Sequence, residues 1–130
     1  MKILIVDDSE LKVDALKFYL EDENHEITVK NDLLTACKYI ITHKEECNLI
    51  FLDMGFGVSG ETDYDQYQGI NLLRTMATRK IAIPVIVNSS THLSEEIVQN
   101  KKFNIVEVVE RMDIDNIKSA LSKVKCLEKV

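Results

Sequence analysis

Short apolar runs alternate with longer segments of helical periodicity along the whole chain, and this alternation restricts the fold more than any other feature. Five runs are predicted to be strands, at residues 2–6, 26–30, 49–52, 83–87 and 105–109. The first, third and fourth runs are almost entirely apolar, as expected of strands buried on both faces of a parallel sheet. The pattern therefore predicts repeated βα units around such a sheet.

The segments between the runs carry apolar residues at intervals of three and four, which predicts helices that each bury one stripe. Asp32 and Asp113 precede two of these helices and are expected to cap them. Strands and helices together predict a flavodoxin-like (βα)5 three-layer sandwich with sheet order 2-1-3-4-5. The stripes expected to face the core are Leu11/Ala15/Tyr19, Leu33/Cys37/Ile40, Ile70/Leu73/Met76 and Ile114/Ile117/Leu121/Val124.

Size and charge exclude several classes of protein. A chain of 130 residues that is 45% hydrophobic has the length of one domain, which we assign to residues 1–130. No apolar run approaches the roughly 18 residues of a membrane-spanning helix, and the few apolar residues before Asp7 are too few for a secretory signal. A net charge of −6 disfavours direct nucleic-acid binding. We therefore expect a cytoplasmic protein that contacts neither membranes nor nucleic acid.

Three acidic residues follow directly on two of the apolar strands. Asp7 and Asp8 come after the first strand and Asp53 after the third, and in the order 2-1-3-4-5 these strands are neighbours. Crowded carboxylates repel one another unless a cation joins them, and Mg²⁺ favours a few hard oxygen ligands. The alternative is that these acids are ordinary turn and cap residues. The pattern favours a magnesium pocket formed by Asp7, Asp8 and Asp53.

Three segments resemble the receiver domain of bacterial two-component response regulators, and the likeness spans essentially the whole chain. They are ILIVDD at 3–8, LIFLD at 49–53 and PVIVNSS at 84–90. The resemblance implies that Asp8 binds Mg²⁺ directly, that Asp7 acts through a bound water, and that the carbonyl of Gly55 completes the protein's ligands. It also implies that Asp53 becomes an aspartyl phosphate and that Ser89 hydrogen-bonds the phosphoryl group.

Several positions depart from the family pattern. The lysine usual at the end of strand five is absent, and the corresponding residue is Arg111 in one register and Glu110 in the other. The usual aromatic residue on that strand is replaced by Val108 or by Glu107. The loop at about 54–68 is enlarged, and its glycines form a G-x-G-x-x-G from Gly55 to Gly60. Nucleotide binding there is a weak alternative, because polar residues rather than a helix follow the glycines.

The resemblance implies a regulator that a sensor histidine kinase, a histidine phosphotransfer protein or a small phosphodonor phosphorylates on Asp53. Because the sequence ends after the fifth predicted helix, we expect this regulator to stand alone. The resemblance implies no enzymatic activity beyond the regulator's own phosphorylation and dephosphorylation. Output would pass to a downstream protein target, and a homodimer is also compatible with the family. The alternative is a pseudo-receiver, a protein-interaction module that is not phosphorylated.

Overall fold

The computed structural model describes residues 1–54, 69–89, 95–110 and 113–128. Strands and helices alternate strictly through these residues, as the sequence predicts. The strands are β1 (Lys2–Val6), β2 (Glu26–Lys30), β3 (Leu49–Asp53), β4 (Val85–Asn88) and β5 (Ile105–Val109). The helices are α1 (Glu10–Asp22), α2 (Leu33–His43), α3 (Gly69–Thr78), α4 (Glu95–Val98) and α5 (Ile114–Glu128).

The five strands form one parallel sheet in the order β2-β1-β3-β4-β5, which confirms the predicted fold and topology. Strand bounds also agree, except that β3 ends one residue later than residue 52, and that β4 begins two residues later than residue 83 and ends one residue later than residue 87. The late start follows from Pro84, which has no N–H to donate to a neighbouring strand. Its carbonyl oxygen still accepts a hydrogen bond of 3.0 Å from the N–H of Ile50.

Two apolar clusters cover the two faces of the sheet, which makes the molecule a three-layer sandwich. Alternate residues of β1 point to opposite faces: Leu4 and Val6 join one cluster, and Ile3 and Ile5 join the other. The first cluster includes buried residues of α2 and α3, and the second includes buried residues of α1 and α5. The central strands are therefore buried on both sides, as their composition predicts.

Helix α1 buries a different side from the one predicted. Leu11 is 86% exposed, whereas the buried residues of the helix are Val13, Leu16 and Leu20. The predicted set recurs at intervals of four and the buried set at intervals of three and four, both of which suit one face of a helix, so periodicity alone could not choose between them. The predicted stripe Leu11/Ala15/Tyr19 is therefore wrong.

The predicted helix caps are confirmed. Asp32 accepts a hydrogen bond of 2.7 Å from the N–H of Thr35 at the start of α2. Asp113 accepts one of 2.9 Å from the N–H of Asn116 at the start of α5. Such caps satisfy N–H groups that have no partner within the helix.

A one-residue irregularity interrupts the pairing of β4 with β5. Val85 pairs with Ile105, but Ile86 pairs with Glu107, so Val106 is an extra residue on β5. An insertion of this kind is a β-bulge, which re-aims the side chains that follow it. Beyond the bulge the pairing is regular again and brings Val109 opposite Asn88.

None of the helices in the described part of the chain is long and apolar enough to cross a membrane.

Candidate functional site

The three predicted metal-binding acids meet at the carboxyl ends of β1 and β3. These strands pair in parallel, with Val6 opposite Leu52, so the residues that come next lie side by side. Asp7, Asp8 and Asp53 each offer a carboxylate oxygen, and the three oxygens lie within 4.8 Å of one another. Asp7 is buried, Asp53 is partly buried and Asp8 is exposed. The cluster opens to solvent on the side of Asp8.

Burial and mutual repulsion act on Asp7. Its pKa is raised above the ordinary value of 3.8, chiefly by burial and further by the negative charges of Asp53 and Asp8. The N–H of Ser9 donates a hydrogen bond of 2.8 Å to Asp7 Oδ1 and opposes this rise. The positive charge of Lys12 opposes it as well. The acid is therefore held where its charge is costly unless a cation is near.

The donor set of this cluster suits Mg²⁺. Three carboxylate oxygens that can reach one ion are hard ligands, and the exposed side leaves room for the waters that Mg²⁺ keeps. Zn²⁺ instead favours nitrogen and sulfur donors. Asp7, Asp8 and Asp53 are the described residues that would hold the ion.

Ser89 lies immediately after β4, where the sequence places it. It is buried, and its N–H donates a hydrogen bond of 3.0 Å to the carbonyl oxygen of Val109. The N–H of Met54, just beyond β3, donates one of 2.8 Å to the carbonyl oxygen of Asn88. These bonds tie the ends of β3, β4 and β5 together. Ser89 is thus fixed at the same edge of the sheet as Asp53.

Lys12 also lies next to these acids, and the sequence analysis did not predict it. Its Nζ lies 3.8 Å from Asp53 Oδ2 and donates a hydrogen bond of 3.2 Å to Asn88 Oδ1. Two signals in the sequence could have pointed to it. Lys12 is four residues after Asp8, at the start of a helix, and Asn88 is a polar residue that follows the apolar run Val85-Ile86-Val87.

Two predicted site residues, Gly55 and Arg111, lie outside the described residues, as does most of the enlarged loop at about 54–68. Glu110 is described: it is exposed and directly follows β5. The bulge adds one residue to β5. The two alignments that put Arg111 or Glu110 at the usual lysine position also differ by one residue. Which residue takes the usual lysine position stays a prediction.

The fold and the acidic edge define a class of protein: a doubly wound α/β domain with a carboxylate cluster where the strand order reverses. The profile of the response regulator receiver domain matches residues 3–122. The chain therefore belongs to the receiver domains of two-component response regulators. A comparison with curated proteins gives no match.

Solved structures of receiver domains share the fold. The receiver domain of Francisella response regulator 1452 is 22% identical with a TM-score of 0.74, over 97% of this chain and 98% of that one. A signal receiver domain of a Luxo repressor protein from Vibrio parahaemolyticus is 21% identical with a TM-score of 0.74, over 98% and 92%. Response regulator TrrA from Thermotoga maritima, solved in complex with Mg²⁺-BeF, is 20% identical with a TM-score of 0.72, over 95% and 97%.

Proposed function

We propose that this receiver takes a phosphoryl group on Asp53 in a Mg²⁺-dependent reaction and acts as a stand-alone regulator. The observation that carries the proposal is the convergence of Asp7, Asp8 and Asp53 within 4.8 Å at one edge of the sheet. A carboxylate is a weak nucleophile, and it attacks phosphorus only where the developing negative charge is offset. A bound Mg²⁺ supplies part of that positive charge.

Different residues of the chain have different roles in the transfer. An oxygen of Asp53 forms the new bond to phosphorus while the bond from phosphorus to the donor's leaving atom breaks, so the leaving group departs with that electron pair. Asp7 and Asp8 would hold the ion together with Asp53. The hydroxyl of Ser89, which is buried after β4, hydrogen-bonds the transferred group. We also propose that the carbonyl of Gly55 would be a ligand of the ion and that Arg111 supplies a positive charge near the phosphoryl group.

The donor follows from the family: a sensor histidine kinase, a histidine phosphotransfer protein or a small phosphodonor. We propose a single domain over residues 1–130, a cytoplasmic location, a downstream protein as target and homodimerisation as a route to output. The chain would catalyse its own phosphorylation and dephosphorylation and no other reaction.

A second candidate function is that of a pseudo-receiver that binds a protein partner without being phosphorylated. Glu110 favours it, because this residue directly follows β5 at the edge of the sheet that carries Asp53. A carboxylate close to a phosphoryl group would repel it. The two candidates differ in a single measurable property, the formation of an acyl phosphate.

The test is incubation with Mg²⁺ and acetyl phosphate followed by intact-mass analysis. The wild type should gain one phosphoryl group that is stable in acid and labile in base, and Asp53→Asn should gain none. Asp14→Asn on α1 is the matched control, because it removes another aspartate and should be labelled like the wild type. A wild type that stays unlabelled, under conditions that label a known receiver, leaves the pseudo-receiver as the function.

A further inference from the structure

The ammonium group of Lys12 lies at the edge of the sheet between Asp53 and Asn88. Its distances are 3.8 Å to Asp53 Oδ2 and 3.2 Å to Asn88 Oδ1. We infer that Lys12 supplies, from helix α1, a positive charge that stabilises the phosphoryl group on Asp53. This inference rests on the proposed function, since it assigns a further residue to the same transfer.

The position of Lys12 is set by two independent supports. The first is α1, which begins at Glu10 and is anchored to the sheet by Val13 and Leu16, so its first turn stays beside the acids. The second is the side chain of Asn88, which is 5% exposed. Its oxygen accepts from Lys12, and its amide Nδ2 donates to the carbonyl oxygen of Val109 at 3.0 Å. Asn88 is therefore a positioning residue that links the ammonium to the end of β5.

The charge of Lys12 acts on the cluster as a whole. It forms an ion pair with Asp53, whose carboxylate has an oxygen within 4.8 Å of those of Asp7 and Asp8. The side chain of Lys12 is 47% exposed, against 13% for Asp53. Solvent therefore weakens the ion pair, and the exposed ammonium has room to move. Lys12 thus offsets part of the repulsion among the acids.

Phosphorylation would strengthen this contact. A phosphoryl group adds negative charge and three acceptor oxygens to Asp53. An ammonium has three donors, so Lys12 can keep its hydrogen bond to Asn88 and donate to a phosphoryl oxygen as well. Because a positioned cation helps most where charge develops during the reaction, Lys12 should increase the rate of transfer.

Mg²⁺ binding should respond to Lys12 in the opposite direction. A positive charge next to Asp53 opposes a second cation at the same carboxylates. Neutralising Lys12 should therefore tighten Mg²⁺ binding while it slows phosphorylation. A purely structural role for Lys12 would not produce this pair of opposite changes.

The experiment compares Lys12→Gln and Lys12→Arg with the wild type, and Lys17→Gln is the matched control. Lys17 is on the same helix, and its Nζ lies 3.7 Å from Glu21 Oε1. Two quantities are measured: the initial rate of acyl phosphate formation with Mg²⁺ and acetyl phosphate, and the Mg²⁺ dissociation constant without phosphodonor. Circular dichroism checks that each variant is folded.

We expect Lys12→Gln to be phosphorylated about tenfold more slowly and to bind Mg²⁺ several-fold more tightly. Lys12→Arg, which keeps the charge, should retain most of the rate, and Lys17→Gln should match the wild type in both measurements. If the wild type is labelled and Lys12→Gln is labelled equally fast, the inference is overturned and the proposed function stands. If Lys12→Arg loses as much rate as Lys12→Gln, the charge is not responsible and the inference is also overturned. A wild type that is never labelled overturns both.

Discussion

Two acidic regions of the protein, the start of α2 and the carboxyl ends of β1 and β3, hold their aspartates in opposite ways. At α2 the exposed Asp32 carboxylate accepts hydrogen bonds of 2.7 Å from both the N–H and the hydroxyl of Thr35. These bonds lower its pKa. At the strand ends, burial raises the pKa of Asp7, and the charge of Asp53 raises it further.

The difference separates an acid with a structural role from acids that we propose bind a cation. Folding itself satisfies the negative charge at the start of α2, because helix N–H groups point at the carboxylate. Folding brings the acids of the strand ends together although their charges repel one another. The second arrangement has a use only when a cation or a reaction at the site takes advantage of that charge.

Substitutions in the two regions should differ most in their effect on the Mg²⁺ affinity of the protein. Asp53→Asn removes one of three clustered carboxylates and should weaken Mg²⁺ binding by about tenfold or more. Asp32→Asn changes the same residue type outside the cluster and should bind Mg²⁺ like the wild type. Isothermal titration calorimetry measures both. Equal weakening in the two variants would contradict the distinction between the regions.

Gly69→Ala should disturb the strand ends without changing any acid. A Cβ at this position would lie 2.9 Å from the carbonyl oxygen of Asp53 and 3.0 Å from the Cα of Met54. Both are backbone atoms, so the chain has to shift, and we expect the free energy of unfolding to fall by about 1–3 kcal/mol. Mg²⁺ binding should weaken with it.

Asn71→Ala is the control for this substitution, because Asn71 is an exposed residue of the same helix. Urea unfolding and calorimetry compare the two variants. A Gly69→Ala protein as stable as the control, with unchanged Mg²⁺ affinity, would show that the close approach of α3 to β3 does not matter for the site.

The two acids should also give opposite dependences of stability on pH in the absence of Mg²⁺. The folded pKa of Asp7 lies above 3.8, so the folded state holds more protons than the unfolded state, and stability falls as pH rises from 3.8 through the folded pKa. The folded pKa of Asp32 lies below 3.8, so its contribution is present above 3.8 and is lost as pH falls through the folded pKa.

Urea unfolding with a metal chelator, repeated across the acidic range, measures these slopes. Asp7→Asn should remove the fall in stability that lies above the ordinary aspartate pKa. Asp32→Asn should leave that fall in place and remove the loss at lower pH. An Asp7→Asn protein with the pH profile of the wild type would mean that burial of this carboxylate has no energetic effect.

The smallest expected effect is the loss of the cap on α2. Asp32→Ala removes the acceptor for the N–H of Thr35 and should lower the thermal midpoint by a few degrees. The decrease should be the same with and without Mg²⁺, because this carboxylate is not part of the cluster. A decrease that disappears on addition of Mg²⁺ would contradict the independence of the two regions.

The sequence was sufficient to predict the order of the sheet and the convergence of the three acids. Strands buried on both faces consist of continuous apolar residues and can be recognised in the sequence. Parallel strands place the residues that follow them at the same edge of the sheet. Asp7 and Asp53 could therefore be brought together from sequence positions alone.

The sequence was not sufficient for the side that α1 buries or for the position of Lys12. Helix α1 has apolar residues on both sides, including the exposed Leu11 and Phe18, so two stripes competed. The reach of Lys12 to Asp53 and Asn88 depends on which stripe docks and at what angle. Packing of the helix against the sheet makes that choice, and no local sequence pattern predicts it.

The bond between the N–H of Gly69 and the carbonyl oxygen of Met54, at 3.1 Å, has a consequence for how such a chain can evolve. This bond joins the two residues that flank residues 55–68, so the number of residues between them can change without altering the geometry of β3 and α3. Doubling the length of a flexible loop whose ends are held together costs only about 0.6 kcal/mol in chain entropy. Insertions and deletions between these two residues can therefore be tolerated while the carboxylates of Asp7, Asp8 and Asp53 keep their places.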